Sequence, residues 1–86
     1  MSFRVDWQPG ADQALRNIPW RDAAWISSEV NRLATDGVGD VRPEVQPDGS
    51  RLLVLFLPGY RVRLRFDRRE RVLYVWHVSR SSRPPP

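Results

Sequence analysis

Residues 51–80, RLLVLFLPGYRVRLRFDRRERVLYVWHVSR, decide the fold of this chain. The stretch contains three apolar or alternating runs, which are separated first by Pro58-Gly59 and then by the polar residues 67–70. Apolar runs of this length, broken by turn residues, predict a three-stranded antiparallel meander.

The middle run, residues 60–66, alternates strictly between apolar and basic side chains. Successive side chains of a strand point to opposite faces of the sheet, so the apolar residues of this run share one face. The other face carries Arg61, Arg63 and Arg65. We therefore expect a row of three arginines across the face opposite the hydrophobic core.

Length and composition limit the possible classes of protein. A chain of 86 residues forms one domain with a modest core. The absence of cysteine excludes disulfides and thiolate metal sites, and with one histidine we expect neither a metal nor a cofactor. Apolar runs stay below the roughly 18 residues of a membrane span, and the first residues do not resemble a signal peptide, so we expect a cytoplasmic protein.

Charge is distributed unevenly along the chain. Residues 1–50 contain five arginines and eight acidic residues, whereas residues 51–86 contain nine arginines and two acidic residues. All 14 basic residues are arginine. A GC-rich genome produces this bias, but arginine also binds phosphate through two parallel hydrogen bonds, and a basic sheet favours a nucleic-acid ligand.

The pattern of the first half predicts the remaining elements. Residues 3–7 alternate as a half-buried strand, residues 11–18 form a short helix that Pro19 stops, and residues 20–36 form a second helix that Gly37 ends. Residues 41–46 form an edge strand, because Pro43 within them and Pro47 directly after them are unsuited to a central strand. We expect a two-layer α+β domain over residues 1–80, with both helices on one face of an antiparallel sheet, and a disordered basic tail over residues 81–86.

A helical projection of residues 20–36 separates a buried face from a polar one. The buried face comprises Trp20, Ala23, Ala24, Ile26, Val30, Leu33 and Ala34. Trp25 falls on the polar side, where it either packs against the first helix or anchors a partner protein.

The order of elements and two short motifs resemble the RelE/ParE superfamily of bacterial toxins. Gly59-Tyr60-Arg61 opens the strand after a hairpin, and Val78-Ser79-Arg80 ends the last strand. The resemblance implies that the first strand lies beside the last, that one concave face is free for a ligand, and that a small antitoxin is the partner. RelE-like members cut messenger RNA in the ribosomal decoding site, whereas ParE-like members inhibit DNA gyrase.

The resemblance also implies roles for individual arginines. Arg61 falls on the arginine that contacts the scissile phosphate in RelE-like nucleases; the alternative is an exposed arginine that only keeps the sheet soluble. Arg80 is a second catalytic candidate, although without a gap it aligns with a lysine or histidine position. Further arginines are expected to bind flanking RNA, namely Arg51, Arg63, Arg65 and Arg83, and Arg51 to supply positive charge near the site.

The chain departs from the RelE pattern at two positions where catalytic lysines are expected, because Leu52 and Val54 stand there. His77 is then the candidate for proton transfer, since histidine titrates near neutral pH. Simple alternation places it on the arginine face with Val75 and Ser79, and the alternative is a half-buried structural histidine. The opposite set, Tyr74, Trp76 and Val78, is expected in the core with Trp7, although aromatics beside basic residues also stack on single-stranded bases.

Three functions remain open. The first is a ribosome-dependent RNA endonuclease in which Arg61 binds the phosphate, His77 moves a proton, and Arg80 assists. The second is a non-enzymatic inhibitor of DNA gyrase, which the apolar side chains of Leu52, Val54 and Phe56 favour. The third is a protein with a toxin fold that has lost its activity.

Overall fold

The computed structural model of the chain describes residues 2–81. The elements follow the chain in the order β1 (Arg4–Trp7), α1 (Pro9–Arg16), α2 (Trp20–Asp36), β2 (Val41–Val45), β3 (Arg51–Leu57), β4 (Tyr60–Asp67) and β5 (Val72–Arg80). The strands form a five-stranded sheet in the order β1-β5-β4-β3-β2. β1 runs parallel to β5, and the other neighbours are antiparallel. The α+β class, the meander and the position of the first strand beside the last are confirmed.

One hydrophobic cluster joins both helices to the same face of the sheet. Its members include Ala11 of α1, Ile26 and Val30 of α2, and residues of β3, β4 and β5. The core therefore occupies the side of the sheet that the helices cover. The opposite side of the sheet is not covered by the helices.

The predicted buried face of α2 is correct at its centre and wrong at its start. Ile26, Val30, Leu33 and Ala34 are buried, but Ala24 is exposed and Trp20 is 74% exposed. A projection gives the direction of each side chain around the helix axis, but it does not show whether other elements lie beneath the first turn.

Two helix ends differ in their agreement with the sequence pattern. α1 begins at Pro9, because proline fits the first helical position, and it ends at Arg16 rather than at residue 18. Gly37 ends α2 as predicted, with a left-handed φ of 71° and its N–H donated to the carbonyl of Leu33 at 3.0 Å. The prediction of an edge strand is confirmed by β2, which contains Pro43.

The chain end beyond β5 is described only at Ser81, whose N–H donates to the carbonyl of Gly59 at 2.9 Å. The rest of the predicted tail, residues 82–86 with Arg83, lies outside the described residues. Within residues 2–81, none of the helices has the length and apolar character needed to cross a membrane.

Candidate nucleic-acid interface

The face of the sheet opposite the helices is called here the open face. The strand registers place on it Arg42, Glu44, Leu52, Val54, Phe56, Arg61, Arg63, Arg65, Tyr74, His77 and Ser79. The alternate residues of β4, namely Tyr60, Val62 and Leu64, are buried in the core. The arginine row predicted from the alternation of β4 is therefore present on this face.

Arg61 lies at the start of β4, directly after the turn at Pro58-Gly59. Its register partners are Phe56 on β3 and Ser79 on β5, and its Cζ atom is 5.5 Å from the centre of the Phe56 ring. The Nε atom is buried and makes no hydrogen bond with any described residue. A buried donor without an acceptor is costly, so the placement of Arg61 on this face is not explained by a contribution to stability.

Arg63 is bound to a carboxylate that sequence reasoning did not select. Its Nε donates to Oε1 of Glu44 on the edge strand at 3.2 Å, and both side chains are about one-third exposed, at 27% and 32%. The pKa of Glu44 lies below its usual value because Gln46 and then Arg63 donate hydrogen bonds to it, with Arg61 adding positive charge. Glu44 is therefore ionised at neutral pH and is a proton acceptor within the arginine row.

His77 is exposed and lies opposite Arg63 in the pairing of β4 with β5. Its position on the arginine face agrees with the prediction, but simple alternation along β5 was the wrong reason. The register shifts between Arg63 and Leu64, so that Leu64 pairs with Val75 while Arg63 pairs with His77. This β-bulge adds one residue to β5, and Val75 and Val78 are both buried while the two residues between them are exposed.

The bulge also corrects the expectation that Trp76 packs in the core. Trp76 is 43% exposed, and its ring centre lies 6.5 Å from that of Tyr74. Tyr74 pairs with Arg65, whose Cζ atom is 5.2 Å from the centre of the tyrosine ring. Trp7, by contrast, is half-buried against the core as expected. Two aromatic rings thus lie beside the arginine row.

The apolar side chains at the positions of the expected lysines do not form an exposed patch. Val54 is fully buried, Leu52 is half-buried, and Phe56 lies beneath the guanidinium groups of both Arg42 and Arg61. Arg42 is held in place by two hydrogen bonds to the carboxylate of Asp40, each of 3.1 Å. This strand therefore supports the charged side chains above it.

Arg80 does not join Arg61 on the open face. It pairs with Tyr60, and its Cζ atom is 5.6 Å from the centre of the Tyr60 ring on the helix side of the sheet. Tyr60 donates its hydroxyl to Oδ2 of Asp22 in α2 at 2.6 Å, and this hydrogen bond together with burial raises the pKa of the tyrosine. The placement does not support a catalytic role for Arg80 beside Arg61.

Two further candidates also lie elsewhere. Arg51 is exposed at the start of β3 and alternates with Leu52 and Val54, so it does not supply the charge that those positions lack on the open face. Trp25 is half-buried and packs against the core cluster, which favours packing over the role of an exposed anchor.

No known family model matches this chain, and no curated protein matches it. Among solved structures, a chain of the RelBE2 toxin–antitoxin complex from Mycobacterium tuberculosis superposes with a TM-score of 0.81 at 16% identity, covering 94% of this chain and 100% of that one. A chain of the archaeal RelE–RelB complex from Pyrococcus horikoshii gives a TM-score of 0.77 at 19% identity, covering 98% and 100%.

The chain has a RelE-like fold. The resemblance drawn from the sequence is thereby confirmed at the level of the fold. In this chain the sheet face without helices carries the arginine row, Glu44, His77 and the neighbouring rings of Tyr74 and Trp76.

Proposed function

We propose that this chain is the toxin of a type II toxin–antitoxin pair and that it cuts messenger RNA on the ribosome. The observation that carries the proposal is Arg61, whose buried Nε has no acceptor among the described residues and which lies in a row of arginines on the open face. The RelE-like fold, shared with chains of two toxin–antitoxin complexes, supports the same conclusion.

The proposed reaction is attack of a ribose 2′-hydroxyl on the adjacent phosphorus. The 2′-oxygen forms a new bond to phosphorus and loses its proton, the bond to the 5′-oxygen breaks, and that oxygen takes up a proton. The products are a 2′,3′-cyclic phosphate and a 5′-hydroxyl end. Negative charge grows on the non-bridging oxygens during the attack, and a fixed guanidinium such as that of Arg61 stabilises this charge most in the transition state.

Glu44 and His77 are suitable for the two proton transfers. They belong to opposite flanks of the arginine row, since Glu44 contacts Arg63 from β2 and His77 faces Arg63 from β5. In an in-line displacement the attacking and leaving oxygens lie on opposite sides of phosphorus, so a base and an acid on opposite flanks meet the geometric requirement. We assign Glu44 to accept the proton of the 2′-hydroxyl and protonated His77 to donate one to the 5′-oxygen.

Arg63 connects substrate binding to the strength of the base. In the free protein it lowers the pKa of Glu44 through their hydrogen bond. A phosphate that takes over Arg63 removes this bond and makes the carboxylate more basic. Arg63 and Arg65 both supply positive charge for RNA binding. Arg63 in addition controls the basicity of Glu44.

The partner proposed for the chain is a cognate antitoxin. The two similar structures are complexes of a toxin with an antitoxin, and a protein that cuts messenger RNA requires an inhibitor in the cell that makes it. Because the open face carries an excess of arginine, an acidic segment laid over it is the form of inhibition expected.

The test is cleavage of messenger RNA bound to ribosomes, compared between the wild-type chain and Arg61→Ala. Removal of one donor to a developing oxyanion lowers turnover by about 10² to 10³. Arg51→Ala is the matched control, because it removes the same charge away from the open face. A wild-type chain that leaves ribosome-bound messenger intact would refute the proposal.

The gyrase alternative loses the observation that favoured it. The apolar side chains of Leu52, Val54 and Phe56 are covered or buried, so they offer a protein target little surface. A supercoiling assay with gyrase is the direct comparison, and we expect no inhibition.

A further inference from the structure

The aromatic rings of Tyr74 and Trp76 on β5 have no part in the reaction described above. Trp76 is 43% exposed in the middle of a strand whose neighbouring apolar residues, Val75 and Val78, are buried. Tyr74 lies 6.5 Å from it, centre to centre, and the two rings are inclined by 36°. Trp76 is exposed and Tyr74 is half-buried on the face opposite the helices, so core packing does not account for this pair of rings.

The β-bulge is the reason that Trp76 lies outside the core. Because Leu64 pairs with Val75 and Arg63 with His77, Trp76 has no pairing partner of its own on β4. A bulge of this kind turns a side chain toward a site at the expense of regular pairing, and such bulges are common beside active sites. Here it leaves Trp76 and His77 both exposed between the buried Val75 and Val78.

Cations and rings are arranged on adjacent strands. β4 contributes Arg61, Arg63 and Arg65, while β5 contributes Tyr74 directly opposite Arg65 and the bulge residue Trp76 next to His77, the partner of Arg63. Arg65 lies over Tyr74 at 5.2 Å, which holds the ring in place through a cation–π contact. A ligand with a charged backbone on one side and flat groups on the other matches this arrangement, and single-stranded RNA has that form.

The distances along the strand fit the same ligand. Consecutive arginines on β4 are two residues apart, or about 7 Å along the strand, and the row from Arg61 to Arg65 spans about 13 Å. A phosphate at Arg61 therefore leaves Trp76 and Tyr74 within reach of the nucleotides next to it. Tyr74 pairs with Asp6 of β1 on the side away from β4. The negative charge of Asp6 disfavours a phosphate on that side of the ring.

We propose that Tyr74 and Trp76 form a stacking platform for nucleobases adjacent to the scissile phosphate, with the RNA backbone following the arginines of β4. The proposal rests on the proposed function, because it takes RNA as the ligand of the open face. The platform defines how the RNA strand lies on the sheet: its phosphates lie over β4, and its bases lie over β5 on the side toward β1.

The test uses binding rather than cleavage, so that it is separable from catalysis. The probe is a single-stranded RNA of about eight nucleotides, within the usual range of single-strand sites, with 2′-O-methyl riboses to prevent cutting. A second probe of equal length carries abasic residues. Fluorescence anisotropy gives the Kd of each probe for the wild-type chain, Trp76→Ala, Trp76→Phe and the control Trp20→Ala, whose tryptophan is exposed at the start of α2.

We expect Trp76→Ala to weaken binding of the intact probe by about tenfold, the size of one base–aromatic stack, and to leave the abasic probe unchanged. Trp76→Phe should restore most of the affinity, and Trp20→Ala should change neither probe. Arg65→Ala should weaken the binding of both probes. It should also reduce the slope of log K against log salt concentration by about 0.7, the share of one phosphate contact. Trp76→Ala should leave that slope unchanged.

Three results would overturn the platform. If Trp76→Ala lost the same affinity for the intact and the abasic probe, Trp76 would be a structural residue. If it lost affinity for neither probe, Trp76 would not belong to the RNA site. In both cases the proposed function still stands if the wild-type chain cleaves ribosome-bound messenger. Loss of antitoxin binding with unchanged RNA affinity would assign the rings to a protein partner. A wild-type chain that neither binds the intact probe nor cuts messenger would refute both proposals together.

Discussion

Replacing Arg61 with methionine should make the protein more stable and less active. The Nε of Arg61 is a buried donor without an acceptor among the described residues, which costs about 1–3 kcal/mol. The loss of the contact between its guanidinium and the Phe56 ring costs about 0.5–1 kcal/mol. Methionine keeps an unbranched side chain over the ring and removes the donor, so the net change is a gain of about 1 kcal/mol.

This gain is measurable by thermal denaturation. For a domain of this size, 1 kcal/mol corresponds to a rise in Tm of about 4–8 °C. Cleavage of ribosome-bound messenger by the same variant should fall by a factor of about 10² to 10³. Opposite changes in stability and activity are typical of a residue held in place for function rather than for folding.

The control for this experiment is Arg63→Met. The Nε of Arg63 is already bound to Glu44, so its removal leaves a carboxylate without its cation and should not raise the Tm. If Arg61→Met lowered the Tm by several degrees, Arg61 would be a structural residue. Arg61 would then not be a phosphate-binding residue of the open face.

Three further outcomes are expected. Tyr60→Phe should lower the free energy of unfolding by about 2 kcal/mol in urea titration, because it leaves the Asp22 carboxylate without a hydrogen bond of 2.6 Å; a loss below about 0.5 kcal/mol would contradict this. Gly37→Ala should cost about 1 kcal/mol in the same titration, all of it from the left-handed backbone, since a Cβ at this position meets no atom within 4 Å; an unchanged midpoint would show that the helix end adjusts. Arg63→Met should raise the pKa of Glu44, whose ionised form Arg63 stabilises, and so shift the acidic limb of the pH profile of kcat/KM to higher pH; an unchanged limb would exclude Glu44 as the base.

The fold was predictable where sequence periodicity and regular pairing agree. β4 alternates without interruption, so its two faces followed directly from the order of its residues. β5 has an equally apolar sequence, but its bulge adds a residue that no glycine or proline marks. Alternation therefore assigned Tyr74, Val75 and Trp76 to the wrong faces, while His77 was assigned correctly.

The candidate site divides in a similar way. Arg61 was predictable because a short motif and the alternation of β4 both point to it. Glu44 was not, because its importance depends on the side chain of Arg63 crossing β3 to reach the edge strand, and sequence alone does not give that register. The side of the sheet on which Arg80 lies is likewise set by its pairing with Tyr60. The sequence motif at the end of the last strand does not give this side.

The position of the last strand has a consequence for the time at which the open face is complete. β5 lies between β1 and β4, so the first strand has no neighbour in the sheet until residues 72–80 have been made. β5 also carries His77 and Trp76, which complete the open face. A ribosome that has not yet synthesised residues 72–80 therefore holds a nascent protein that lacks both a closed sheet and a finished site, and under the proposed function the protein does not act before this strand has been made. A chain truncated before Val72 should accordingly show no cooperative unfolding transition and no toxicity; a folded or toxic fragment would refute this order of events.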